Sequence, residues 1–181
     1  MKIFYWTNPT GDRHRAQQLR IQLEKELEGL VKFTSPFYNS AGEPNDEIRA
    51  LDRGKPSPIS KYEIKGKDIA LITEADGVVA FVTNQTSWGS IQECYESYDV
   101  QHKPTYIIFD GRTQGKCKHC NTKNPNDPNH PWALTSCTRA FNSPQSFIDY
   151  IKAQHQSLNP VKTKPAKADN FWKRVFNAQD S

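Results

Sequence analysis

Residues 75–93 read ADGVVAFVTNQTSWGSIQE and contain the features that decide the predicted fold. The apolar run over residues 77–82 predicts a strand buried on both faces, as in a parallel sheet. A short polar segment follows it, and a helix is predicted to begin at residues 88–90. Ser87 and Gly89 lie at the start of this helix, where free backbone N–H groups can hold an anion, and Glu93 lies in its first turn. This arrangement predicts a site that binds a phosphate or a sugar and presents a nucleophilic carboxylate.

Strands and helices alternate along the rest of the chain, which is typical of a parallel sheet with helices on both faces. The pattern predicts an α/β fold, a flavodoxin-like or Rossmann-like three-layer sandwich around a five-stranded parallel sheet of order 2-1-3-4-5. The other strands are predicted at residues 3–6, 31–34, 105–110 and within 133–141; the other helices at 12–28 and 61–73, at one turn near 45–51, and after residue 143.

The predicted strand order also predicts where a ligand binds. The topological switch point lies between the first and third strands, and ligands of such sheets bind at the carboxyl ends of the strands that flank it. These ends carry the polar residues 7–11 and the polar residues 83–89. Topology alone therefore points to the segment that precedes Glu93.

A second carboxylate lies on an apolar row of the helix predicted over residues 61–73. Ile64, Asp68 and Ile72 follow one another at intervals of four residues and share one helix face. Two carboxylates in different environments allow one to act as an ionised nucleophile and the other as a protonated acid. Each residue also has an ordinary interpretation: Glu93 as a first-turn acid, Asp68 as a hydrogen-bonded buried carboxylate and Ser87 as a helix cap.

The helix that carries Glu93 has its own predicted core stripe. Ile91, Cys94, Tyr95 and Tyr98 recur at helical spacing and are expected to pack inward. Glu93 is then expected beside the stripe rather than on it.

The motifs of residues 61–110 resemble the nucleoside 2-deoxyribosyltransferase superfamily, which includes the deoxynucleoside 5'-monophosphate N-glycosidases. The resemblance implies that Glu93 is the nucleophile that attacks C1' of the sugar and forms a covalent glycosyl-enzyme intermediate. It implies that Asp68 lies near the sugar and assists proton transfer to the leaving base. The residues that carry the resemblance are Asp68-x-x-x-Ile72-x-x-Ala75-Asp76, Ser87-x-Gly89-x-x-x-Glu93 and Lys103-Pro104.

The same resemblance implies a set of substrate-binding residues. Ser87 and Gly89 match the pocket for the 5' group, and a Ser at this position is more similar to the monophosphate hydrolases than to the transferases, which typically carry Asp. Tyr5 lies in the first predicted strand, and Thr7 and Asn8 begin the first loop. All three are expected to contact substrate, although Tyr5 also suits a core position.

The first loop departs from the family pattern and leaves the substrate open. In the monophosphate hydrolases this loop is rich in Gly, Ser and Arg, whereas here it reads TNPTG, with Arg13 and Arg15 slightly later. We therefore expect a small-molecule nucleoside or nucleotide without choosing between them. The resemblance also implies a homodimer or larger assembly, in which a neighbouring subunit completes the site.

Two alternatives to this function follow from the same residues. Ser87-Trp88 followed by a helical Glu resembles TIR domains, some of which cleave the nicotinamide glycosidic bond of NAD. The Trp-to-Glu spacing of TIR domains is one residue shorter, which would place Gln92 in the catalytic position. The other alternative is a non-catalytic nucleotide-binding or signalling domain on the same fold.

Four residues form a candidate metal site that the family resemblance does not supply. Cys117-x-x-Cys120, His130 and Cys137 have the residue types of a closed Cys3His zinc site, which would be structural. The alternative is that these cysteines are free or partly buried thiols. No cofactor is expected for catalysis.

The 181 residues suffice for one domain, predicted over residues 1–158 with a Cys/His-containing insertion at 111–136. The net charge is +4, and residues 159–181 supply +3 of it, so a nucleic-acid partner is not expected. These residues are predicted to form a basic, flexible tail. No apolar run approaches the roughly 18 residues of a membrane helix. The first residues turn polar too soon for a signal peptide, which predicts a cytoplasmic protein.

Overall fold

The computed structural model describes residues 1–39, 41–83, 88–109 and 136–158. The described elements alternate along the chain much as the sequence predicts, and the second and third strands have the predicted bounds. In chain order they are β1 (Lys2–Thr7), a 3-10 turn (Thr10–Asp12), α1 (Arg13–Glu26), β2 (Val31–Thr34), α2 (Asp46–Asp52), α3 (Lys61–Glu74), β3 (Gly77–Val82), α4 (Trp88–Tyr95), a π-helical turn (Glu96–Val100), β4 (Thr105–Phe109), β5 (Arg139–Phe141) and α5 (Pro144–Leu158).

The five strands form one parallel sheet in the order β2-β1-β3-β4-β5, so the predicted order is confirmed. β1 pairs with β2 on one side and with β3 on the other, with Phe4 opposite both Phe33 and Gly77. The chain crosses from one side of β1 to the other between β2 and β3. The switch point therefore lies between β1 and β3, as predicted.

The sheet separates two apolar cores because successive side chains of a strand point to opposite faces. Phe4 and Trp6 of β1 belong to the core that α1 and α5 cover, whereas Tyr5 belongs to the core under α3 and α4. β3 divides in the same way, which explains why its sequence is apolar throughout. The layers are thus helix, sheet and helix, and the predicted α/β sandwich is confirmed.

Gly77 permits the close approach of β3 to the segment before β4. A Cβ atom at Gly77 would lie 2.2 Å from the carbonyl oxygen of Pro104, which no real contact allows. The carbonyl oxygen of Pro104 occupies this space instead and accepts a hydrogen bond, 2.9 Å long, from the backbone N–H of Val78. A side chain here would push apart the two strands that carry the central core.

α3 is held at both ends. Ser60 and Glu63 form a capping box at its start, in which each side chain accepts a hydrogen bond from the other residue's backbone N–H. At its end, the Lys103 ammonium donates to the carbonyl oxygens of Ile72 at 2.9 Å and Ala75 at 2.8 Å. These contacts satisfy carbonyls that a helix end leaves open. They fix the helix that carries Asp68.

The predicted core stripe of α4 is confirmed at Cys94 and wrong at Ile91 and Tyr95. Ile91 and Tyr95 are 41% and 55% exposed, and the helix buries Ser90, Cys94 and, in the π-helical turn, Ser97. Small polar residues face the sheet because each buried serine hydroxyl pairs with a strand threonine: Ser97 accepts from Thr105 at 2.9 Å, and Ser90 contacts Thr7. Apolar periodicity cannot detect such a face. Because Ser90 and Cys94 face the sheet in place of Ile91 and Tyr95, Glu93 points toward β1.

The predicted insertion at 111–136 falls almost wholly outside the described residues, and the tail at 159–181 falls outside them entirely. The last described helix, α5, ends at Leu158. Among the helices that the structure describes, none has the length and apolar character needed to span a bilayer.

Candidate active site

Glu93 lies at the carboxyl end of β1 with both carboxylate oxygens engaged. The Tyr5 hydroxyl donates to Oε1 at 2.9 Å, and the Thr7 hydroxyl donates to Oε2 in a short contact. Tyr5 and Thr7 are two residues apart in β1 and therefore point to the same face of the sheet. One strand thus supplies both donors and fixes the plane of the carboxylate.

Ser90 extends this group by one hydroxyl. Its Oγ lies 2.9 Å from the Thr7 hydroxyl oxygen, and both side chains are buried. Ser90 precedes Glu93 by three residues, so the two share a face of α4. Sequence reasoning missed Ser90; its spacing from Glu93 is the signal that could have found it.

Asp68 is the second carboxylate of the site, half-buried on α3. Burial is the main cause that raises its pKa to about 7, and the nearby charge of Glu93 adds to the effect. Lys67 acts in the opposite direction, while Glu47 reinforces the rise. Oδ1 of Asp68 is buried and accepts no hydrogen bond from any described residue. Asp68 therefore suits a carboxyl group that keeps its proton near neutral pH.

The pKa of Glu93 is raised by burial, and the hydrogen bonds from Thr7 and Tyr5 work against that rise. Two hydroxyl groups donate to Glu93 and favour its ionised form, whereas Asp68 has one such partner, Tyr5, and a buried Oδ1 that accepts from no described residue. When the two share one negative charge, it is therefore better placed on Glu93. Burial and the two carboxylates raise the pKa of Tyr5 well above its usual value, so its hydroxyl remains a proton donor.

A short helix, α2, supports the Asp68 side of the site. Its Glu47 carboxylate lies 3.0 Å from the Lys67 ammonium, which also donates to the carbonyl oxygen of Pro36 at 3.2 Å. Asn45 caps α2 by accepting from the backbone N–H of Ile48. The cluster of Glu47 and Lys67 anchors residues 36–48 to the helix that carries Asp68. No sequence pattern predicted this contact.

The first loop is held by its own side chains. Asn8 is buried, and its amide donates to the carbonyl oxygen of Pro9 at 3.0 Å. The Thr83 hydroxyl at the end of β3 donates to the Asp12 carboxylate in a short contact, which joins the two edges of the switch point. The loop therefore has a defined shape next to Glu93.

The two arginines after the first loop have described partners. Arg13 forms an ion pair with Asp52 and donates to the carbonyl oxygen of Thr10 at 3.0 Å. The Arg15 guanidinium lies over the Phe81 ring, 5.7 Å from its centroid. A phosphate would therefore have to compete with Asp52 for Arg13.

The remaining predicted site residues are only partly described. Gly89 lies in the first turn of α4 and is exposed, whereas Ser87 falls outside the described residues. Gln92, the residue that a TIR-like alignment would make catalytic, is exposed, while its neighbour Glu93 faces Tyr5. Glu93 therefore faces the candidate site, whereas Gln92 faces solvent.

The predicted zinc site stays a prediction. Cys117, Cys120 and His130 fall outside the described residues, and Cys137 is buried in the core that also contains Cys94. Burial raises the pKa of the Cys137 thiol to about 11. Across the described ranges, no group of three or more His, Cys, Asp or Glu side chains could hold a metal ion.

Solved structures with the same arrangement of helices and strands include two named transferases. The 2-deoxyribosyltransferase from the psychrotolerant bacterium Bacillus psychrosaccharolyticus matches with a TM-score of 0.53 and 15% identity, covering 84% of this chain and 94% of that one. The 2-desoxiribosyltransferase from Leishmania mexicana matches with a TM-score of 0.55 and 14% identity, covering 84% and 98%. This chain has the 2-deoxyribosyltransferase fold.

A third structure extends the comparison. A conserved protein from Enterococcus faecalis V583 matches with a TM-score of 0.58 and 18% identity, covering 85% of this chain and 99% of that one. No protein-family model matches the sequence, and no curated protein matches it either. The resemblance to the 2-deoxyribosyltransferases predicted from short motifs is thus confirmed as a likeness of fold, and at these identities the likeness extends no further.

Proposed function

We propose that this protein is an enzyme that cleaves or transfers the N-glycosidic bond of a 2'-deoxynucleoside or of its 5'-monophosphate. The main support is a pair of carboxyl groups at the switch point. Glu93 accepts a hydrogen bond from β1 at each of its two oxygens, and Asp68 has a pKa of about 7. The shared fold of two 2-deoxyribosyltransferases supports the same chemistry.

In the first step, a carboxylate oxygen of Glu93 attacks C1' of the sugar. The new O–C1' bond forms as the C1'–N bond breaks, and the electron pair of the broken bond goes to the base nitrogen. Asp68 gives its proton to the leaving base. The product of this step is an ester between Glu93 and the sugar, together with a free base.

In the second step, an acceptor attacks C1' from the side that the base left and restores the Glu93 carboxylate. Water as the acceptor completes hydrolysis, and a second base completes transfer. The acceptor gives up a proton, which Asp68 can take back. Two displacements at one carbon retain its configuration, as in other retaining glycosidases.

The opposite states of the two carboxylates support this division of work. Glu93 accepts two hydrogen bonds, which stabilise the ionised nucleophile. Asp68 has a buried oxygen without a donor and faces the charge of Glu93, which favours the protonated acid. A pair of carboxyl groups whose environments separate their protonation states is the usual sign of paired nucleophile and acid.

The 5' group of the substrate is proposed to bind at the start of α4. Gly89 lies in the first turn of α4, beside the first backbone N–H groups of the helix, which favour an anion. Ser87 immediately precedes α4 and, in place of the Asp expected for free nucleosides, favours a monophosphate. Tyr5, Thr7 and Asn8, which are buried at the end of β1 and the start of the first loop, are proposed to contact the substrate from that side.

A panel of substrates tests the proposal directly. Purified protein is incubated with each deoxynucleoside, each 5'-monophosphate and NAD, and products are separated by chromatography. Release of free base from a deoxynucleoside or its monophosphate is expected, and addition of a second base decides between hydrolysis and transfer. Release of nicotinamide alone would favour the NAD reaction, and no product from any compound would favour a binding domain.

The predicted homodimer and the predicted zinc stay proposals of their own. α4 presents Trp88, Ile91 and Tyr95 on its outer side, and the only charged residue of this helix, Glu93, faces inward. A second copy can therefore meet this side without opposing like charges. For zinc, metal content is measured with and without chelator, and metal-free protein of native stability would end that hypothesis.

A further inference from the structure

Thr7 makes a pair of contacts that no substrate-binding role requires. Its hydroxyl oxygen lies 2.9 Å from Ser90 Oγ and in a short contact with Glu93 Oε2. Thr7 is 2% exposed and Ser90 is 7% exposed, so little water competes for these bonds. Three polar groups from β1 and α4 therefore form one continuous chain: Ser90, Thr7 and Glu93.

The number of hydroxyl protons fixes the donor and the acceptor in each of these two hydrogen bonds. A threonine hydroxyl carries one proton, and an ionised carboxylate can only accept. Thr7 therefore donates its proton to Glu93, and its oxygen is left to accept from the Ser90 hydroxyl. A hydroxyl that accepts one hydrogen bond becomes a stronger donor of the next.

The backbone holds both hydroxyls at fixed positions. Thr7 is the last residue of β1 and lies opposite Ala80 of β3, within the paired part of the sheet. Ser90 lies on the buried side of α4, one turn before Glu93. Both side chains are short, so the backbone largely determines where each hydroxyl lies. The Glu93 carboxylate consequently meets a donor that is already in place.

From this geometry we infer that Thr7 and Ser90 are positioning residues, which together hold Oε2 of Glu93 and keep the carboxylate ionised and correctly rotated for attack. The inference rests on the proposed function for its catalytic meaning, but the contact itself does not depend on any substrate. Tyr5 holds the other oxygen from the same strand. Removing the Thr7 hydroxyl should leave Oε2 of Glu93 without its donor and make the carboxylate easier to protonate.

Other titratable groups face Glu93 and must stay unchanged in the experiment. Among the described residues they are Tyr5 from β1, Asp68 from α3 and Cys94 of α4 itself. The test therefore changes only hydroxyl groups. Thr7→Val keeps the shape of the side chain without the hydroxyl, Thr7→Ser restores the hydroxyl, and Ser90→Ala removes the second member of the chain.

The Thr105 and Ser97 pair provides a matched control. Its two hydroxyl oxygens are 2.9 Å apart, both side chains are fully buried, and the pair joins β4 to the π-helical turn. Neither hydroxyl has a described contact with Glu93. Thr105→Val thus removes an equivalent buried Thr–Ser hydrogen bond, together with the 3.2 Å contact of the Thr105 hydroxyl with the Lys103 carbonyl oxygen, and reports the cost of losing a buried threonine hydroxyl away from Glu93.

The protonation of Glu93 is followed by NMR of protein labelled with ¹³C at the glutamate side-chain carboxyl, with the Glu93 signal assigned from Glu93→Gln. A hydrogen bond to a charged group is worth about 1.5–3 kcal/mol, so Thr7→Val should move the midpoint upward by about one to two pH units. Thr7→Ser should restore it, Ser90→Ala should move it upward by less, and Thr105→Val should leave it in place. The acid limb of kcat/KM should move with the midpoint.

An unchanged midpoint in folded Thr7→Val would overturn the inference, as would a Thr7→Ser midpoint equal to that of Thr7→Val. If Thr7→Val does not fold, Ser90→Ala decides, and an unchanged midpoint there would overturn it. The NMR readout needs no turnover. A shifted midpoint in a protein that releases no base would therefore support the positioning pair while the proposed function fails.

Discussion

The Tyr5 hydroxyl of β1 donates to Oε1 of Glu93 over 2.9 Å, across 88 positions of the sequence. The contact exists because β1 and α4 meet at the switch point of the sheet, where the strand ends beside the helix. Tyr5 is fully buried in the core under α3 and α4. A strand residue of the core thus reaches the Glu93 carboxylate with its hydroxyl.

Replacing Tyr5 with Phe tests the role of this hydroxyl. The ring and its packing remain, but Glu93 loses the donor to Oε1. We expect kcat for base release to fall by roughly 10- to 100-fold, since a hydrogen bond to a charged group contributes about 1.5–3 kcal/mol. Steady-state kinetics on the best substrate of the panel provide the measurement.

Tyr106→Phe is the control for this experiment. Tyr106 is also a buried strand tyrosine, but it belongs to the opposite core, under α1 and α5. Loss of the Tyr106 hydroxyl should leave the rate of base release unchanged. Equal rates for Tyr5→Phe and the wild type would show that the hydroxyl does not assist Glu93.

We expect Asp68 to set the alkaline side of the pH profile. If Asp68 gives its proton to the base, kcat/KM should fall as pH rises through its pKa of about 7. Asp68→Asn cannot give that proton and should lower base release by about 10²-fold or more. It should also remove the fall in rate near pH 7. A profile for Asp68→Asn that keeps the wild-type alkaline limb would assign that limb to another group.

The same substitution should stabilise the folded protein at high pH. Asp68 has a folded pKa of about 7, above its ordinary value of 3.8, so the folded chain binds more protons than the unfolded chain between these values. The wild type therefore loses stability as pH rises through this window. Asp68→Asn escapes the loss and should be more stable at pH 8, by on the order of 2 kcal/mol after allowing for partial solvation.

Urea unfolding at pH 4, 6 and 8 measures this effect. The difference in free energy of unfolding between Asp68→Asn and the wild type should grow with pH. Below about pH 4, Asp68 is protonated in both the folded and the unfolded protein, so the difference is smallest there. Curves that run parallel across the range would mean that Asp68 is not kept protonated by the fold. Loss of activity combined with a gain in stability is the expected mark of a functional carboxylate.

The outer side of α4 should hold two copies together. Light scattering on a sizing column should give twice the chain mass of 20.7 kDa. A double substitution, Trp88→Lys with Tyr95→Lys, should yield a monomer because it places charges on both sides of the contact. Ile21→Lys on α1, where the side chain is also half exposed, is the control and should stay dimeric. A monomeric wild type would contradict the proposal.

Much of the fold is readable from the sequence because its strands are apolar runs bounded by turns. β2 and β3 have their predicted bounds, and α2 begins after Asn45, as its predicted helical turn suggested. The order of the sheet follows from the alternation of strands and helices, and it brings the first loop to the segment before α4.

The inward face of α4 was not readable in the same way. Ser90 and Ser97 are small and polar, and their burial depends on threonines that lie far away in the sequence. A pattern of apolar residues therefore pointed to Ile91 and Tyr95, which face outward. For the same reason the contacts of Glu93 with Tyr5 and Thr7 appear only once the strand and helix are brought together.

The proposed role of Glu93 as the nucleophile is decided by measuring base release by Glu93→Ala. The substrate that gives the highest rate in the panel is incubated with the wild type and with Glu93→Ala, and free base is quantified by chromatography. The variant, shown to be folded by circular dichroism, should release no base above the uncatalysed rate. Release at the wild-type rate by Glu93→Ala would contradict it.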